Sequence, residues 1–229
     1  MSPFVLLALA YGAGATPTSL WLGRAVYEVD LRTMGSRNLG GTNTFRVLGW
    51  KAALPVILVD IGKGWAPVWF FPQIQIATAP STWALAYGAA AILGHVFSFW
   101  VGFKGGKGIA TSAGVLLGLA PVAVAVCLAV WLGVVSLTRI VSLASLSAAL
   151  TLPVVVFLLG QREGATEGSA MIWFAGALSA LVVWSHRSNI GRLLKGEEGS
   201  FRSASPEGSL GDGPAGTPEG RPEPGKDPA

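Results

Sequence analysis

The chain has 229 residues, of which 52% are hydrophobic and only 12% charged, against roughly 25% charged in a typical soluble domain. Mean hydropathy is +0.57, and apolar runs of this length would need a larger aqueous core than so short a chain can build, which excludes an ordinary soluble domain. The net charge of +4 does not indicate nucleic acid, because the basic residues sit singly in short loops between apolar runs instead of forming a continuous stripe.

A membrane-spanning helix needs about 20 apolar residues. In chain order the candidates are 3–25, 52–71, 82–101, 109–120, 121–137, 142–160 and 169–185. No Lys or Arg precedes the first run, so it is expected to remain as a span and not to act as a signal peptide. The fourth run is short, and Pro121 separates it from the fifth; fusing the two would give six spans. The basic residues decide between these counts. With seven spans, alternate loops collect Arg24, Arg32, Arg37, Arg46, Lys51, Lys104, Lys107, Arg139, Arg187, Arg192 and Lys195, while the opposite loops hold only Arg162. Such a bias marks the richer side as cytoplasmic. The expectation is an all-α polytopic membrane protein with seven transmembrane helices, the N-terminus outside and the C-terminus cytoplasmic. Residues 1–198 form the membrane-embedded domain. From 199 to 229 the chain turns rich in Pro and Gly and almost free of large aliphatic residues, so it reads as a disordered cytoplasmic tail.

The chemistry is expected in the cytoplasmic loops. The first holds Ser36, Asn38, Thr42, Asn43, Arg37 and Arg46 beside Gly35, Gly40 and Gly41. Small side chains admit backbone amides to a ligand, and hydroxyl, amide and guanidinium groups donate to phosphate oxygens. Solvated turns use the same residue types. The next cytoplasmic loop is sharper. Lys104, Gly105, Gly106, Lys107 and Gly108 run straight into an apolar helix that carries Thr111, an arrangement that leaves N–H groups free for an anion with two lysines alongside. A Walker A loop is excluded, since Gly108 and not Ser or Thr follows Lys107. Arg139 and Ser142 lie in the following turn. In the last element His186, Asn189 and Arg192 share one helix face by their spacing. Within the spans, Asp60 and Lys63 stand three residues apart and are either an ion pair or functional, and His95 reads as a helix–helix hydrogen-bonding residue. Two His and one Cys, Cys127, give no zinc-like spacing, so no metal site is expected. No Gly-x-Ser-x-Gly elbow accompanies Ser36, His186 and Asp60, which leaves a serine triad without support.

Taken together and in order, these segments resemble the bacterial acyl-phosphate:glycerol-3-phosphate acyltransferase family. The resemblance rests on Gly35-Ser-Arg-Asn-Leu-Gly-Gly-Thr-Asn-Thr-Phe-Arg46, Asp60-Ile-Gly-Lys-Gly64, Gly94-His95, Phe103-Lys-Gly-Gly-Lys-Gly108 with Ala110-Thr111, Leu137-Thr-Arg-Ile-Val-Ser142 and His186-Arg-Ser-Asn-Ile-Gly-Arg-Leu-Leu194, with Gly14, Pro17 and Thr18 near the start. It covers residues 5–198 or so. Two positions depart: Arg37 stands where the family usually has a small residue, and Gly41 where Ala is more usual. The Asp expected five residues after a His in soluble-headed glycerophosphate acyltransferases is absent, Trp100 following His95 and Gly191 following His186 at that spacing.

The resemblance implies transfer of an acyl chain from acyl phosphate to the 1-hydroxyl of glycerol 3-phosphate, giving lysophosphatidic acid and inorganic phosphate, in the bacterial inner membrane with the site facing the cytoplasm. It implies no cofactor. The implied partners are glycerol 3-phosphate, acyl phosphate, membrane lipid and the enzyme that forms acyl phosphate. Ser36, Arg46, Lys104, His186 and Asn189 are expected to be catalytic, with Asn38, Thr42, Asn43, Gly105, Gly106, Lys107, Gly108, Thr111, Arg139 and Ser142 binding substrate. His186 is either a base or a hydrogen-bonding partner of Asn189. A transporter for a phosphorylated solute is the rival class, since broken spans with glycine-rich cationic loops also suit transport.

Overall fold

The structure, a computed structural model, describes residues 1–76, 80–163 and 167–200. Most of the expected tail, from residue 201 on, lies outside the described residues. Within them the chain is helical, with no strand.

The first span is not continuous. α1 (Pro3–Ala15) and α2 (Thr18–Tyr27) meet at 44°. Pro17 between them has no N–H to extend the ladder, and backbone groups freed inside hydrocarbon must find partners within the protein. Ser98 Oγ donates to the Ala15 carbonyl, and Lys63 Nζ donates to the Thr16 carbonyl at 2.8 Å. The stretch read as a first cytoplasmic loop contains a short helix of its own, α3 (Gly41–Leu48), ahead of α4 (Trp50–Ile74). α5 (Pro80–Val96) is followed by a 3₁₀ turn (Phe99–Val101) and the glycine-rich loop. α6 (Ile109–Leu119) has 11 residues, a length of about 16 Å at 1.5 Å per residue. α7 (Pro121–Thr138), α8 (Val141–Glu163) and α9 (Glu167–Ser185) complete the long helices, and α10 (Arg187–Leu194) turns away from α9 at 61°.

Among the described residues, four helical segments are long and apolar enough to cross a membrane, six counting each bent pair as one, and α6 is a further, shorter apolar helix. Lys107, just before α6, touches Asn189 of α10, while Ser142 at the start of α8 and Asn189 both donate to Glu198. The starts of α6 and α8 therefore share one end of the bundle with α10. α6 runs away from this end, and α7, which begins at Pro121 and is separated from α8 by two residues, returns to it.

Glycines set how closely the helices approach. A Cβ on Gly14 would run into the Ala91 backbone and one on Gly94 into the Tyr11 carbonyl, so α1 and α5 touch backbone to backbone. Gly64 against the Thr111 carbonyl and Gly114 against the Ile61 carbonyl do the same for α4 and α6. Small residues permit this contact where hydrocarbon on both sides removes the usual hydrophobic drive. Val68, Ile92, Val115, Leu116, Leu152 and Leu178 form the apolar core between α4, α5, α6, α8 and α9. Leu132, Leu150, Phe157 and Trp173 are exposed on the outside, as a lipid-facing surface requires.

Gly114→Leu is expected to force α4 and α6 apart and to lower stability by about 1–3 kcal/mol, the usual cost of overpacking. Gly133→Leu, where nothing lies within 4 Å of the added Cβ, leaves stability unchanged. Thermal unfolding of the two variants in the same detergent makes the comparison.

Candidate active site

The first loop is held in shape by Asn43, which is 1% exposed on α3. Its Oδ1 accepts from Ser36 N at 2.7 Å and Ser36 Oγ at 3.1 Å, while Nδ2 donates to the carbonyls of Leu31 and Met34, each at 3.2 Å. Gly35, at φ +57°, sits so close to this amide that a Cβ would collide with Oδ1. Arg37 also adopts a left-handed conformation, φ +58°, which is costly for any residue with a Cβ. That explains why glycine would serve better there. Gly41, the second departure, has a reason in its neighbour: a Cβ would strike the Ile57 side chain. Ser36, Asn38, Thr42 and Arg46 face the same cavity as Asn43, and Arg46 also donates to the Gly199 carbonyl at 3.2 Å.

The glycine-rich loop differs from the expected row of free amides. Gly105 N donates to Val96 O at 3.0 Å and Gly106 N to His95 O at 3.1 Å. These two amides hang the loop on the end of α5 and are not available to an anion. The glycines are needed for closeness instead, since a Cβ on Gly105 would meet His95 O and one on Gly106 would meet the His95 ring and Leu39 O. The amides left for an anion are those opening α6. Gly108, at φ +81°, lets the chain turn into that helix, and Gly108, Ile109 and Ala110 line the cavity where the first helical N–H groups have no intrahelical acceptor. The two lysines part company. Lys107 faces the cavity, whereas Lys104 is exposed and does not line it. Burial pulls the Lys107 ammonium down to about 8.

Opposite this loop, His186 and Asn189 are both buried. His186 Nδ1 lies 2.9 Å from the Val182 carbonyl; the carbonyl can only accept, so the neutral ring carries its proton on Nδ1 and keeps Nε2 as an acceptor. Asn189 Oδ1 accepts from Lys107 Nζ, and its Nδ2 donates to Glu198 Oε1. Ser142 Oγ donates to the same oxygen at 2.7 Å, and Arg192 Nε donates to Oε2 at 2.6 Å. Burial would raise the Glu198 carboxyl, but the donors Ser142, Asn189 and Arg192 outweigh it and hold the group below the usual carboxylate range.

These groups open into one cavity of about 560 Å³. Its mouth is polar. Its remainder is an apolar groove between Leu116 and Leu117 of α6, Val124, Leu128 and Trp131 of α7, Leu152 of α8 and Leu178 of α9. Of the expected site residues, Ser36, Asn38, Thr42, Asn43, Arg46, Lys107, Gly108, Ser142, His186 and Asn189 meet here. Lys104, Thr111 and Arg139 do not line it: Lys104 and Arg139 are exposed, and Thr111 is 0% exposed in the packed α4–α6 contact. Gly105 and Gly106 line a small chamber beside it, with Thr18 and Ser98. Asp60 and His95 line both spaces. Glu198 was missed in the sequence; an acid directly after a basic helix, in a chain with few acids, was the available signal.

The model of the family described as glycerol-3-phosphate acyltransferase matches residues 4–196. A glycerol-3-phosphate acyltransferase of Chlorobium phaeobacteroides (strain BS1) is 40% identical over 221 residues, covering 85% of this chain and 94% of the relative. Among solved structures, PlsY (YgiH), an integral membrane glycerol 3-phosphate acyltransferase, in its glycerol 3-phosphate form is 34% identical with a TM-score of 0.76, covering 87% of this chain and 95% of that one. The lysophosphatidic acid form of the same enzyme is 31% identical with a TM-score of 0.74, covering 86% of this chain and 94% of that one. With its helical fold and most of its length shared in this way, the chain belongs to the glycerol-3-phosphate acyltransferase family.

Proposed function

We propose that the chain transfers an acyl group from acyl phosphate to the 1-hydroxyl of glycerol 3-phosphate, releasing lysophosphatidic acid and inorganic phosphate. The observation that carries this reading is the continuity of a cationic mouth, built by Arg46 and Lys107 with Asn189 and the α6 amides, with an apolar groove between α6, α7, α8 and α9. An acyl phosphate has this shape: a dianionic head joined to a hydrocarbon chain. The two solved relatives, with glycerol 3-phosphate and lysophosphatidic acid in their descriptions, support the acceptor and the product.

In this reading the acyl chain lies in the groove and the acyl carbonyl sits at its polar rim. Lys107 and the start of α6 hold one phosphate, and Arg46 with Ser36 and Thr42 holds the other. The 1-hydroxyl oxygen attacks the carbonyl carbon, the bond from that carbon to the bridging phosphate oxygen breaks, and phosphate departs with the hydroxyl proton. Acyl phosphate is already activated, so positioning and stabilisation of developing charge supply most of the catalysis. His186, with Nε2 an acceptor, orients the hydroxyl. Asn43 shapes the Ser36 loop, and Asn189 aims Lys107.

We also propose seven spans: the four long segments, α7 among them, the two bent pairs, and α6, which forms an out-and-back pair with α7. The mouth, with nearly all the basic loops, then faces the cytoplasm of an inner membrane, the N-terminus lies outside, and residues 1–198 act as one membrane domain with a cytoplasmic tail. Nothing in the cavity favours transport, because the polar groups gather at one end and the groove beyond them is apolar.

Purified protein given acyl phosphate and glycerol 3-phosphate is expected to release inorganic phosphate in step with lysophosphatidic acid, and acyl-coenzyme A is expected not to substitute. Lys107→Ala should raise KM for a phosphate substrate about 10–100-fold, the scale of a lost hydrogen bond to a charged group, whereas Lys104→Ala should change it less than about threefold, in keeping with a screened surface charge. Lys107 is protonated below about pH 8 and neutral above it. In the wild type, KM for that substrate should therefore rise as pH climbs through 8, and a flat profile would count against the lysine's role.

A further inference from the structure

The buried pair on α4 has no part in holding phosphate. Asp60 and Lys63 are 2% and 9% exposed, with Lys63 Nζ 2.9 Å from Asp60 Oδ1. Thr18 Oγ1 donates to the same oxygen at 3.1 Å, and His95 Nδ1 lies 3.9 Å from it. Among the described residues every such contact falls on Oδ1, so Oδ2 is uncommitted in a residue that lines the main cavity. Lys63 is itself tied to the break in the first span through the Thr16 carbonyl, which fixes the ammonium and, through it, the carboxylate. The depth is also set. Gly64 packs on Thr111 at the start of α6, so Asp60, one turn nearer the mouth, is level with the Lys107–Gly108 loop.

A carboxylate beside two phosphates would repel them unless neutralised, and Lys63 neutralises it. An ionised carboxylate accepts hydrogen bonds and cannot donate. The donors that the two substrates bring to it are the hydroxyls of the glycerol. The ammonium and the hydroxyl on Oδ1 fix the carboxylate's orientation and leave Oδ2 free to accept. We infer that Asp60 Oδ2 accepts a hydrogen bond from the non-reacting 2-hydroxyl of glycerol 3-phosphate, so that Asp60 determines acceptor specificity while Lys63 and Thr18 are positioning residues that aim it. This rests on the transfer reaction proposed above.

The test uses 3-hydroxypropyl phosphate, which lacks only the 2-hydroxyl, as acceptor in place of glycerol 3-phosphate, with saturating acyl phosphate and the full-length protein. Wild type is expected to favour glycerol 3-phosphate in kcat/KM by about tenfold or more, as for a hydrogen bond to a charged acceptor. The double variant Asp60→Leu, Lys63→Met removes both charges together and so leaves neither buried alone; in it the preference should fall to within about twofold, the change lying in KM. Thr18→Val should narrow the preference by a smaller factor without touching the charges. Equal use of both acceptors by wild type overturns the inference and needs no variant to fold. Retention of the full preference by both variants overturns it as well, as does an equal fall in kcat on both acceptors, which would place Asp60 at the reacting hydroxyl. The parent reading is read separately in the same assay, since wild type either does or does not release phosphate with glycerol 3-phosphate.

Discussion

The contact of the Lys107 ammonium with the Asn189 amide, extended through Glu198 to Ser142 and Arg192, joins the ends of three separate helical segments. Hydrophobic packing would not align these ends, because apolar helices in a bilayer slide and rotate against one another with little penalty. A half-buried charge network fixes them. It does so by mutual satisfaction: Asn189 both accepts and donates, Glu198 gathers three donors, and Lys107 remains charged beside a cavity wall that would otherwise favour its neutral form. Whatever anion enters the mouth meets a set of donors whose directions are already set.

The same requirement for satisfied polar groups governs the first span. Breaking a helix inside hydrocarbon at Pro17 exposes carbonyls, and the molecule answers with Ser98, just after α5, and Lys63 from α4. Lys63 in turn needs a counter-charge and finds it in Asp60. A single proline thus recruits a chain of buried polar residues that ends at the cavity. The glycines at 64 and 114 make this geometry possible, because α4 and α6 must approach backbone to backbone for the charged turn of α4 to reach the level of the anion loop.

Much of this was legible in the residues. Apolar runs marked the long helices, the Asp60–Lys63 spacing pointed to either an ion pair or a functional pair, and the concentration of Ser, Thr, Asn, Lys and Arg in three loops marked the cavity mouth. What spacing could not supply was direction. Lys104 and Lys107 flank the same two glycines and look alike in sequence, yet one side chain points outwards and the other inwards, because Gly105 and Gly106 are bound to the end of α5 and fix the twist of the loop. Thr111 looked like part of the anion loop, but a helix turns 100° per residue, and that rotation carries it into the α4 contact while Ser112 faces the cavity. The break after Ala15 was hidden for a related reason. It depends on groups supplied from distant segments, and Ser98 lies 83 residues from its acceptor.

Cys127, the chain's single thiol, is half-buried in the groove wall on α7. A maleimide or other alkylating reagent must enter the groove to reach it, and a hydrocarbon chain lying there would stand in the way. The native protein therefore carries a built-in chemical reporter: the rate at which this sulfur is labelled measures how often the groove stands empty, with no engineered cysteine and no altered residue.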